Sequence, residues 1–423
     1  MKVLIKQAKI ISPSSPFNGK IKDILITNGI ITQIDDEITE KAEKIIVQTA
    51  LNVSIGWMDI FSNFADPGHE YKETLETGAK AAAAGGFTDV MVLPNTNPVI
   101  HNKSQVEYIV QKSKSLAVTI HPIGAVTKNA DGKDLAEMYD MQQSGAIAFG
   151  DGTNSIQSAG LLLKALQYVK SFDGTVIQIP DDKSIGTNGL INEGIVSTQL
   201  GLPGKPTIAE ELLVARDIKL ARYTDSKLHF TGVTSAKSIE YIKRAKDGGI
   251  NVSCSVTPYH LFFTDKDMQD YDTNLKVNPP LRIEQDRQAL LKAVADGTVD
   301  CIASHHFPQN RDSKICEFEY AKEGMIGLES LFGVLGKLAT WNLELGIDKL
   351  VNILAVNPRK IFGLQIPEIK EGAAACLTLF NTDEEYIFDE KMIKSKSKNS
   401  PFIGKKLKGK VIGIINKGKV ELN

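Results

Sequence analysis

Cysteine is scarce in this sequence, and long apolar runs are absent. The 423 residues include four cysteines that are far apart and form no Cys-x-x-Cys pair: Cys254, Cys301, Cys316 and Cys376. This spacing argues against a disulfide framework and a thiolate zinc site, and it favours small buried side chains in a reducing cytoplasm. No run of about 18 apolar residues occurs, so we expect no membrane span. Residues 1–6 also lack the apolar core of a signal peptide.

Neither sign of charge is in excess, since 49 Lys and Arg residues face 51 Asp and Glu residues, giving a formal net charge of −2. This balance gives no electrostatic reason to expect nucleic acid or an anionic membrane as a partner. Several catalytic motifs are missing as well, namely a Gly-x-Ser-x-Gly elbow, a Walker loop, a Gly-x-Gly-x-x-Gly turn and a His-Glu-x-x-His helix. The sequence therefore carries none of the common motifs of serine hydrolases, nucleotide-binding proteins or zinc proteases.

Short β-rich stretches alternate with helical stretches through the middle of the chain. The length suits a barrel of roughly 250–350 residues plus a smaller module. The helical stretches include Glu73–Ala84, Ile208–Tyr223, Ser238–Lys246 and Glu284–Ala295. The predicted strands are Leu51–Asp59, Thr88–Leu93, Ala117–Ile123, Ala146–Gly150, Thr175–Ile179, Lys227–Val233, Asn251–Thr257 and Val299–Ser304. This alternation predicts an α/β fold with a (β/α)8 TIM-like barrel over residues 53–364, although a doubly wound open sheet would alternate similarly.

The two ends of the chain have a different pattern from the middle. Asn28-Gly29 between apolar flanks is typical of a β-hairpin, and the last 55 residues or so contain further short strands, Cys376–Phe380 and Val411–Ile415. Either end alone is too short to form a stable sheet. We therefore expect residues 1–52 and 365–423 to pair into one small β-sandwich domain beside the barrel.

Residues 55–74 include the spaced motif Asp59, Pro67 and Gly68 in a strand-to-loop region. Further short blocks follow it in the same order along the chain: 93–98 (Leu-Pro-Asn-Thr-Asn-Pro), 124–128, 191–194, 256–261, 277–282 (Val-Asn-Pro-Pro-Leu-Arg), 324–329 (Gly-Met-Ile-Gly-Leu-Glu), 357–364 and 400–404. Taken together, these blocks resemble type I dihydroorotases of the cyclic amidohydrolase superfamily over nearly the whole chain. Any one block is weak, but so many in register identify the chain as a member of that family.

The resemblance implies zinc at the carboxyl-terminal mouth of the barrel, where it activates a water and polarises a cyclic amide. In this chain most of the residues at the family's metal and base positions are different. Phe61 and Asn63 replace two histidines of the first strand, and Ile179 and Gly232 replace ligands of the fifth and sixth strands. Asp151 keeps a carboxylate at the fourth strand, whereas His305 replaces the catalytic aspartate of the eighth.

Phenyl, alkyl and glycine positions have no side-chain lone pair, so the sequence predicts that the chain has no metal cofactor and no catalytic residue of the family type. The substrate contacts Asn95 and Asn278 persist as vestigial binding residues. The arginine that grips a carboxylate is replaced by Ala65, and the last histidine of the family pattern by Gln309. Without the bidentate clamp we expect orotate-like anions to bind weakly.

The surviving polar residues also have plain structural interpretations. Asp151 before Gly152 is typical of a turn residue that bonds its own backbone. A new metal pair could form from His305 and His306 with Asp151, but adjacent residues of a strand point to opposite faces. His229 and His260 are expected to be satisfied polar groups lining the mouth of the barrel.

Three hypotheses follow from the resemblance. The first is a catalytically inactive dihydroorotase homologue of pyrimidine biosynthesis, cytoplasmic and expected to be a homodimer, that acts as a structural or regulatory partner of aspartate transcarbamoylase. The second is an active dihydroorotase or cyclic-amide hydrolase with an unconventional site around Asp151, His305 and His306. The third is a binding or scaffold protein unrelated to pyrimidines.

Overall fold

A computed structural model describes residues 1–341 and 345–423 of the chain. The described residues form a barrel of parallel strands surrounded by helices, with a separate sheet built from the two ends of the chain. This architecture confirms the predicted (β/α)8 barrel with a small β-domain.

The barrel strands are consecutive in the chain and pair in parallel with their sequence neighbours. In chain order they are Trp57–Ser62, Phe87–Val92, Thr119–Gly124, Ala148–Phe149, Thr175–Gln178, Lys227–Phe230, Val252–Val256 and Cys301–Ile302. An isolated parallel bridge between Ser62 and His306 brings the first strand against the segment that follows the last strand. The side chain of Asp59 strengthens this closure, since it accepts hydrogen bonds from the Ser62 hydroxyl and from the backbone N–H of Ser304.

Helices pack around the strands, and the four predicted ones appear within a few residues of their expected bounds. The α-helices are Leu75–Ala84, Lys103–Ser113, Met138–Gln143, Ala159–Lys170, Ile195–Leu200, Ile208–Thr224, Ala236–Asp247, Pro258–Phe262, Glu284–Asp296, Leu331–Trp341, Ile347–Val351 and Asn357–Ile361. The helix Leu75–Ala84 begins with a capping box, in which Thr74 and Thr77 each bond the backbone N–H of the other. The helix Glu284–Asp296 ends at Gly297 in the left-handed conformation, as expected for a glycine that follows a helix.

The single strand predicted over Leu51–Asp59 is wrong, because the structure divides it at Gly56. Asn52–Ile55 belongs to the end sheet and Trp57–Ser62 to the barrel. A Cβ at Gly56 would lie 2.1 Å from the Thr88 hydroxyl oxygen. The close approach of the second barrel strand therefore requires glycine at the point where the chain passes from one sheet to the other.

The end sheet joins both chain ends. Its strands are Lys2–Ile11, Ile21–Thr27, Ile30–Asp35, Lys44–Ile46, Asn52–Ile55, Leu377–Ile387, Lys406–Asn416 and Lys419–Leu422. The link is antiparallel pairing of Leu377–Ile387 with Asn52–Ile55. The hairpin predicted at Asn28-Gly29 is present, with both residues at positive φ. The predicted domain boundaries, between residues 52 and 53 and between residues 364 and 365, stay a prediction.

No described helix has the length and apolarity needed to cross a membrane.

Candidate functional site

A pocket of about 270 Å³ opens at the carboxyl ends of the barrel strands. This is the end of a barrel at which side chains that follow different strands converge. Five residues named from the sequence line it: Asn63, Asn95, Ile179, Asn278 and Gln309. The other lining residues are Thr153, Tyr259, Val277, Phe307, Lys322, Glu323 and Gly324.

The end of the first strand holds Phe61 and Asn63 in different environments. The Phe61 side chain is buried, 1% exposed, and its ring centroid lies 4.5 Å from that of His305. Asn63 faces the pocket, but its Oδ1 accepts a hydrogen bond of 2.8 Å from the backbone N–H of Ala65. One position is therefore apolar core, and the other fixes the loop that carries Ala65.

His305 occupies the position of the family aspartate and is held by the sixth strand. Its Nε2 lies 2.8 Å from the Thr231 hydroxyl, and its backbone φ of 43° is in the left-handed region. Gly232 also has a positive φ, 68°, and a Cβ there would lie 2.6 Å from His305 Cε1. Burial lowers the pKa of His305 to about 3, so the ring is neutral at physiological pH.

A chain of hydrogen bonds links His305 to the sixth and seventh strands across the barrel interior. The Ser255 hydroxyl donates to Thr231 Oγ1, which pairs with His305 Nε2. The Ser255 oxygen accepts from His229 Nε2, and the Ser253 hydroxyl donates to His229 Nδ1. His305 Nδ1 is buried and has no partner among the described residues.

His229 and His260 are hydrogen-bonded through both ring nitrogens, as expected for satisfied polar groups. His260 Nδ1 pairs with the Thr257 hydroxyl, and its Nε2 donates to the carbonyl of Pro279 at 3.0 Å. Burial lowers the pKa of both imidazoles to about 3. Neither ring is free to take up a proton near neutral pH.

Asp151 points away from the mouth pocket. Its carboxylate accepts hydrogen bonds from the backbone N–H of Thr127 at 2.9 Å and from the Thr127 hydroxyl at 2.5 Å. Burial raises the pKa of Asp151 to about 6. Asn95 reinforces the same loop, since its Nδ2 donates to the Asp151 carbonyl and its Oδ1 accepts from Thr153 N–H. These contacts agree with a loop-holding role for Asn95, whereas the Asp151 carboxylate bonds Thr127 and not its own backbone, so the turn interpretation of Asp151 is wrong.

His306 follows His305 after the end of the last barrel strand but has different partners. Its Nδ1 accepts from the backbone N–H of Gly327 at 3.2 Å, and its Nε2 lies 3.5 Å from a Glu73 carboxylate oxygen. Asp151, His305 and His306 therefore have separate partners. Within residues 1–341 and 345–423, no group of three His, Cys, Asp or Glu side chains comes close enough to hold a metal ion.

Sequence reasoning missed a buried ion pair that borders the pocket. Lys205 Nζ lies 2.7 Å from Asp181 Oδ2 and 2.9 Å from Asn278 Oδ1. The pair is carried by the long loop between the fifth and sixth strands, where a two-residue parallel bridge joins Ile191–Asn192 to Gly204–Lys205. The carboxamide oxygen of Asn278 is thus already occupied by an ammonium group. Lys205 and Asp181 are 24 residues apart in the chain, so no local sequence pattern indicates that they pair.

The residues at the expected positions do not fit a zinc site of the family type. Phe61, Ile179 and Gly232 have no donor atom in their side chains, and the Asp151 carboxylate is turned to Thr127. A catalytic zinc site typically uses three protein ligands, usually His, Asp, Glu or Cys. No chemical step at the mouth is therefore assigned to a metal held by these residues.

Comparisons with known proteins give relatives over nearly the whole chain. Residues 52–238 match the family described as dihydro-orotase-like. The chain is 39% identical over 419 residues to the dihydroorotase of Acetivibrio thermocellus, covering 99% of this chain and 98% of that protein. It is 38% identical over 423 residues to the dihydroorotase of Syntrophus aciditrophicus, covering 99% of each.

Solved structures share the fold at lower identity. L-hydantoinase from Arthrobacter aurescens superposes with a TM-score of 0.85 at 20% identity, covering 100% of this chain and 97% of that one. Dihydropyrimidinase from Brevibacillus agri NCHU1002 gives a TM-score of 0.82 at 18% identity, covering 100% and 95%. At these identities the likeness shows the fold alone.

The prediction that the protein has no metal cofactor is contradicted by these comparisons. Relatives named dihydroorotase, 37–39% identical over almost the full chain, belong to a class of metal-dependent enzymes. The prediction rested on the side chains at six positions, namely Phe61, Asn63, Asp151, Ile179, Gly232 and His305. That these side chains do not suit zinc concerns those positions alone, and it does not show that the protein binds no metal.

Proposed function

Because the chain belongs to the dihydroorotase family, as its relatives at 37–39% identity over the full length demonstrate, we propose that it acts in pyrimidine biosynthesis as a structural or regulatory partner of aspartate transcarbamoylase. In this proposal the mouth of the barrel does not hydrolyse or close dihydroorotate. The protein works as a homodimer that associates with the transcarbamoylase. The proposal rests on what the side chains of the mouth are able to do.

The observation that carries the proposal is the stacked cluster of Phe61, His305 and Gly232. A general base must reach the attacking water with a free lone pair. The position of the family aspartate holds a neutral imidazole whose Nε2 is bonded to Thr231 and whose ring is packed on Phe61. Burial lowers the pKa of this imidazole to about 3, so His305 is too weak a base to hold a proton taken from water near neutral pH.

Substrate binding is weakened in the same pocket. Asn278 Oδ1 accepts a hydrogen bond from Lys205 Nζ. Both the amide nitrogen and the amide oxygen of the Asn95 side chain are hydrogen-bonded to the backbone of residues 151–153. Ala65, whose methyl group is buried, stands where the family resemblance places an arginine that binds the substrate carboxylate. A charge-assisted bidentate pair is stronger than neutral hydrogen bonds, so the pocket favours neutral ligands over anionic ones.

A second candidate function is catalysis of the dihydroorotase reaction itself, with a site that includes Asp151, His305 or His306. The identity of 37–39% with proteins named dihydroorotase favours it. In this case the chain would assemble its active site on binding metal or substrate. The same experiment separates the two candidates.

The test uses the full chain purified without chelator, with its metal content measured. Interconversion of carbamoyl aspartate and dihydroorotate is assayed in both directions, with and without added Zn²⁺, and with and without the aspartate transcarbamoylase of the same cell. The proposal expects co-purification with the transcarbamoylase and no turnover above the uncatalysed rate in any condition. Turnover that is lost in Asp151→Ala overturns the proposal and supports the second candidate. Absence of both turnover and association supports a scaffold unrelated to pyrimidines.

A further inference from the structure

A second cavity, of about 380 Å³, lies where the barrel meets the end sheet and shares no lining residue with the mouth pocket. It is enclosed by the start of the helix Leu331–Trp341, the end of the helix Leu75–Ala84 and the strands Leu377–Ile387 and Lys406–Asn416. Small-molecule sites commonly have volumes of about 300–1,000 Å³ and occur where two structural units meet. Both the size and the position of this cavity suit a ligand site.

The walls of the cavity are mainly apolar and aromatic. Phe332, Phe388 and Val411 are buried, and Tyr386 and Met392 are half-buried. The space depends on missing side chains, because a Cβ at Gly333 would lie 2.4 Å from the Tyr386 hydroxyl oxygen. These walls favour a flat apolar body such as an aromatic heterocycle.

Glu329 lines this cavity and carries an unsatisfied acceptor buried in its wall. The side chain is 9% exposed, and its Oε1 accepts hydrogen bonds of 2.9 Å from the backbone N–H groups of Lys394 and Ser395. Its Oε2 is buried and has no partner among the described residues. Leaving a buried acceptor unpaired is costly, so a ligand with an N–H donor would gain a charge-assisted bond here.

The rim of the cavity is cationic. Lys391 and Lys394 are exposed lining residues whose Nζ atoms have no hydrogen-bond or ion-pair partner within the described parts of the chain. Lys410 also lines the cavity, but its Nζ is paired with Glu384 at 2.7 Å. Two unpaired ammonium groups at the entrance favour an anionic group that remains at the surface.

We propose that this cavity binds a nucleoside monophosphate. The ring lies between the apolar walls, an N–H group of the base (a ring N–H of a pyrimidine such as uracil, or the exocyclic amine of adenine) donates to Glu329 Oε2, and the phosphate is held by Lys391 and Lys394. This combination of a flat ring, an N–H donor and an anionic tail matches the three features of the cavity in one molecule. The site is independent of the chemistry at the barrel mouth and of the proposed association.

Binding is tested on the full chain by titration calorimetry with uridine 5′-monophosphate and adenosine 5′-monophosphate as probes. Uridine, adenosine and ribose 5-phosphate are the partial ligands. We expect one of the two nucleotides to bind with a Kd below about 1 mM and its partial ligands to bind at least about tenfold more weakly. The choice between the two nucleotides identifies a pyrimidine or a purine ring. If neither nucleotide binds with a Kd below about 1 mM, the proposal is overturned.

Variants locate the bound nucleotide. Glu329→Gln keeps an acceptor for the two backbone N–H groups and replaces Oε2 by a donor, so affinity is expected to fall about tenfold. Lys391→Met and Lys394→Met are expected to weaken the nucleotide but not its nucleoside. Lys41→Met, which removes an exposed lysine elsewhere, is the matched control and leaves affinity unchanged. If Glu329→Gln fails to fold, Met392→Trp fills the cavity instead. Unaltered affinity in the folded cavity variants overturns the assignment.

Discussion

The imidazole of His305 lies against the phenyl ring of Phe61, with ring centroids 4.5 Å apart and both side chains buried. Gly232 completes the contact, because only a residue without a Cβ leaves room for the His305 ring. His305 therefore packs against two other residues that the sequence comparison predicted to be replacements. Reversing the residue at 61 or 232 alone would leave a void or a clash at the His305 ring.

Gly232→Ala is expected to lower the free energy of unfolding by on the order of 1–3 kcal/mol, because the new methyl group meets His305 Cε1 and the backbone φ is 68°. Urea unfolding measures the change. Gly201→Ala is the matched control, since Gly201 has a φ of 67° and no atom within 4 Å of an added Cβ. The Gly232→Ala cost should fall to the control value in a His305→Ala background. An equal cost in both backgrounds would contradict the clash.

The barrel could be predicted from the sequence because each strand and helix carries a local signal. For example, the sequence predicted a helix from Glu284 to Ala295 that ends near Gly297, and the structure has a helix over Glu284–Asp296 followed by Gly297. The failed strand shows the limit of such signals. Leu51–Asp59 has the pattern of one continuous strand, but its division at Gly56 is set by the close approach of Thr88 from a distant part of the chain.

The candidate site was predictable in its positions but not in its contacts. The matching motifs located five residues that line the mouth pocket, namely Asn63, Asn95, Ile179, Asn278 and Gln309. The pairing of Lys205 with Asp181 and Asn278 depends on how a long loop folds over the barrel, and no local pattern encodes it. The inference from ligand positions to the absence of a cofactor went further than those positions allow.

Lys205→Met is expected to destabilise the protein by about 3–5 kcal/mol, because it leaves the buried Asp181 carboxylate without its ion-pair partner. The double variant Asp181→Asn/Lys205→Met should recover a substantial part of this loss, since no uncompensated charge remains. Chemical denaturation of the four proteins forms a double-mutant cycle. Lys170→Met, which breaks the exposed pair with Asp225, is the control and should cost at most about 1 kcal/mol. Strict additivity in the Asp181–Lys205 cycle would show that the pair is not coupled.

Thiol labelling of the native protein should distinguish Cys316 from the other three cysteines. Cys316 is half-buried, whereas Cys254 and Cys301 are fully buried and burial raises the pKa of both thiols. Burial also raises the pKa of Cys376 to about 11, which keeps its thiolate fraction low. We expect one fast-reacting thiol with Ellman's reagent near pH 8 and all four after denaturation. Cys316→Ser should abolish the fast phase, and a fast phase that persists in this variant would refute the assignment.

Asp151 is expected to make stability fall as the pH rises through the weakly acidic range. Burial raises the pKa of its carboxyl to about 6 in the folded protein, against about 3.9 in an unfolded chain. The folded state therefore binds the proton more tightly, and the resulting stabilisation is complete below about pH 4 and lost as the pH rises through about 6. Asp151→Asn removes this group. The free energy of unfolding of the native protein minus that of the variant should drop by on the order of 1–3 kcal/mol between pH 4 and pH 7.

Urea titrations at half-unit pH steps measure the difference between the native protein and Asp151→Asn. The same comparison with Asp217→Asn is a parallel case, because burial raises the pKa of Asp217 to about 6 and its carboxylate is held by Gln178 and Arg216 instead of Thr127. The two carboxyls share no hydrogen-bond partner, so their effects should add in the double variant. A difference between the native protein and Asp151→Asn that stays constant from pH 4 to pH 7 would mean that the Thr127 hydrogen bonds outweigh the loss of solvation. In that event Asp151 would be ionised throughout this range, with its charge held by the backbone N–H and the hydroxyl of Thr127.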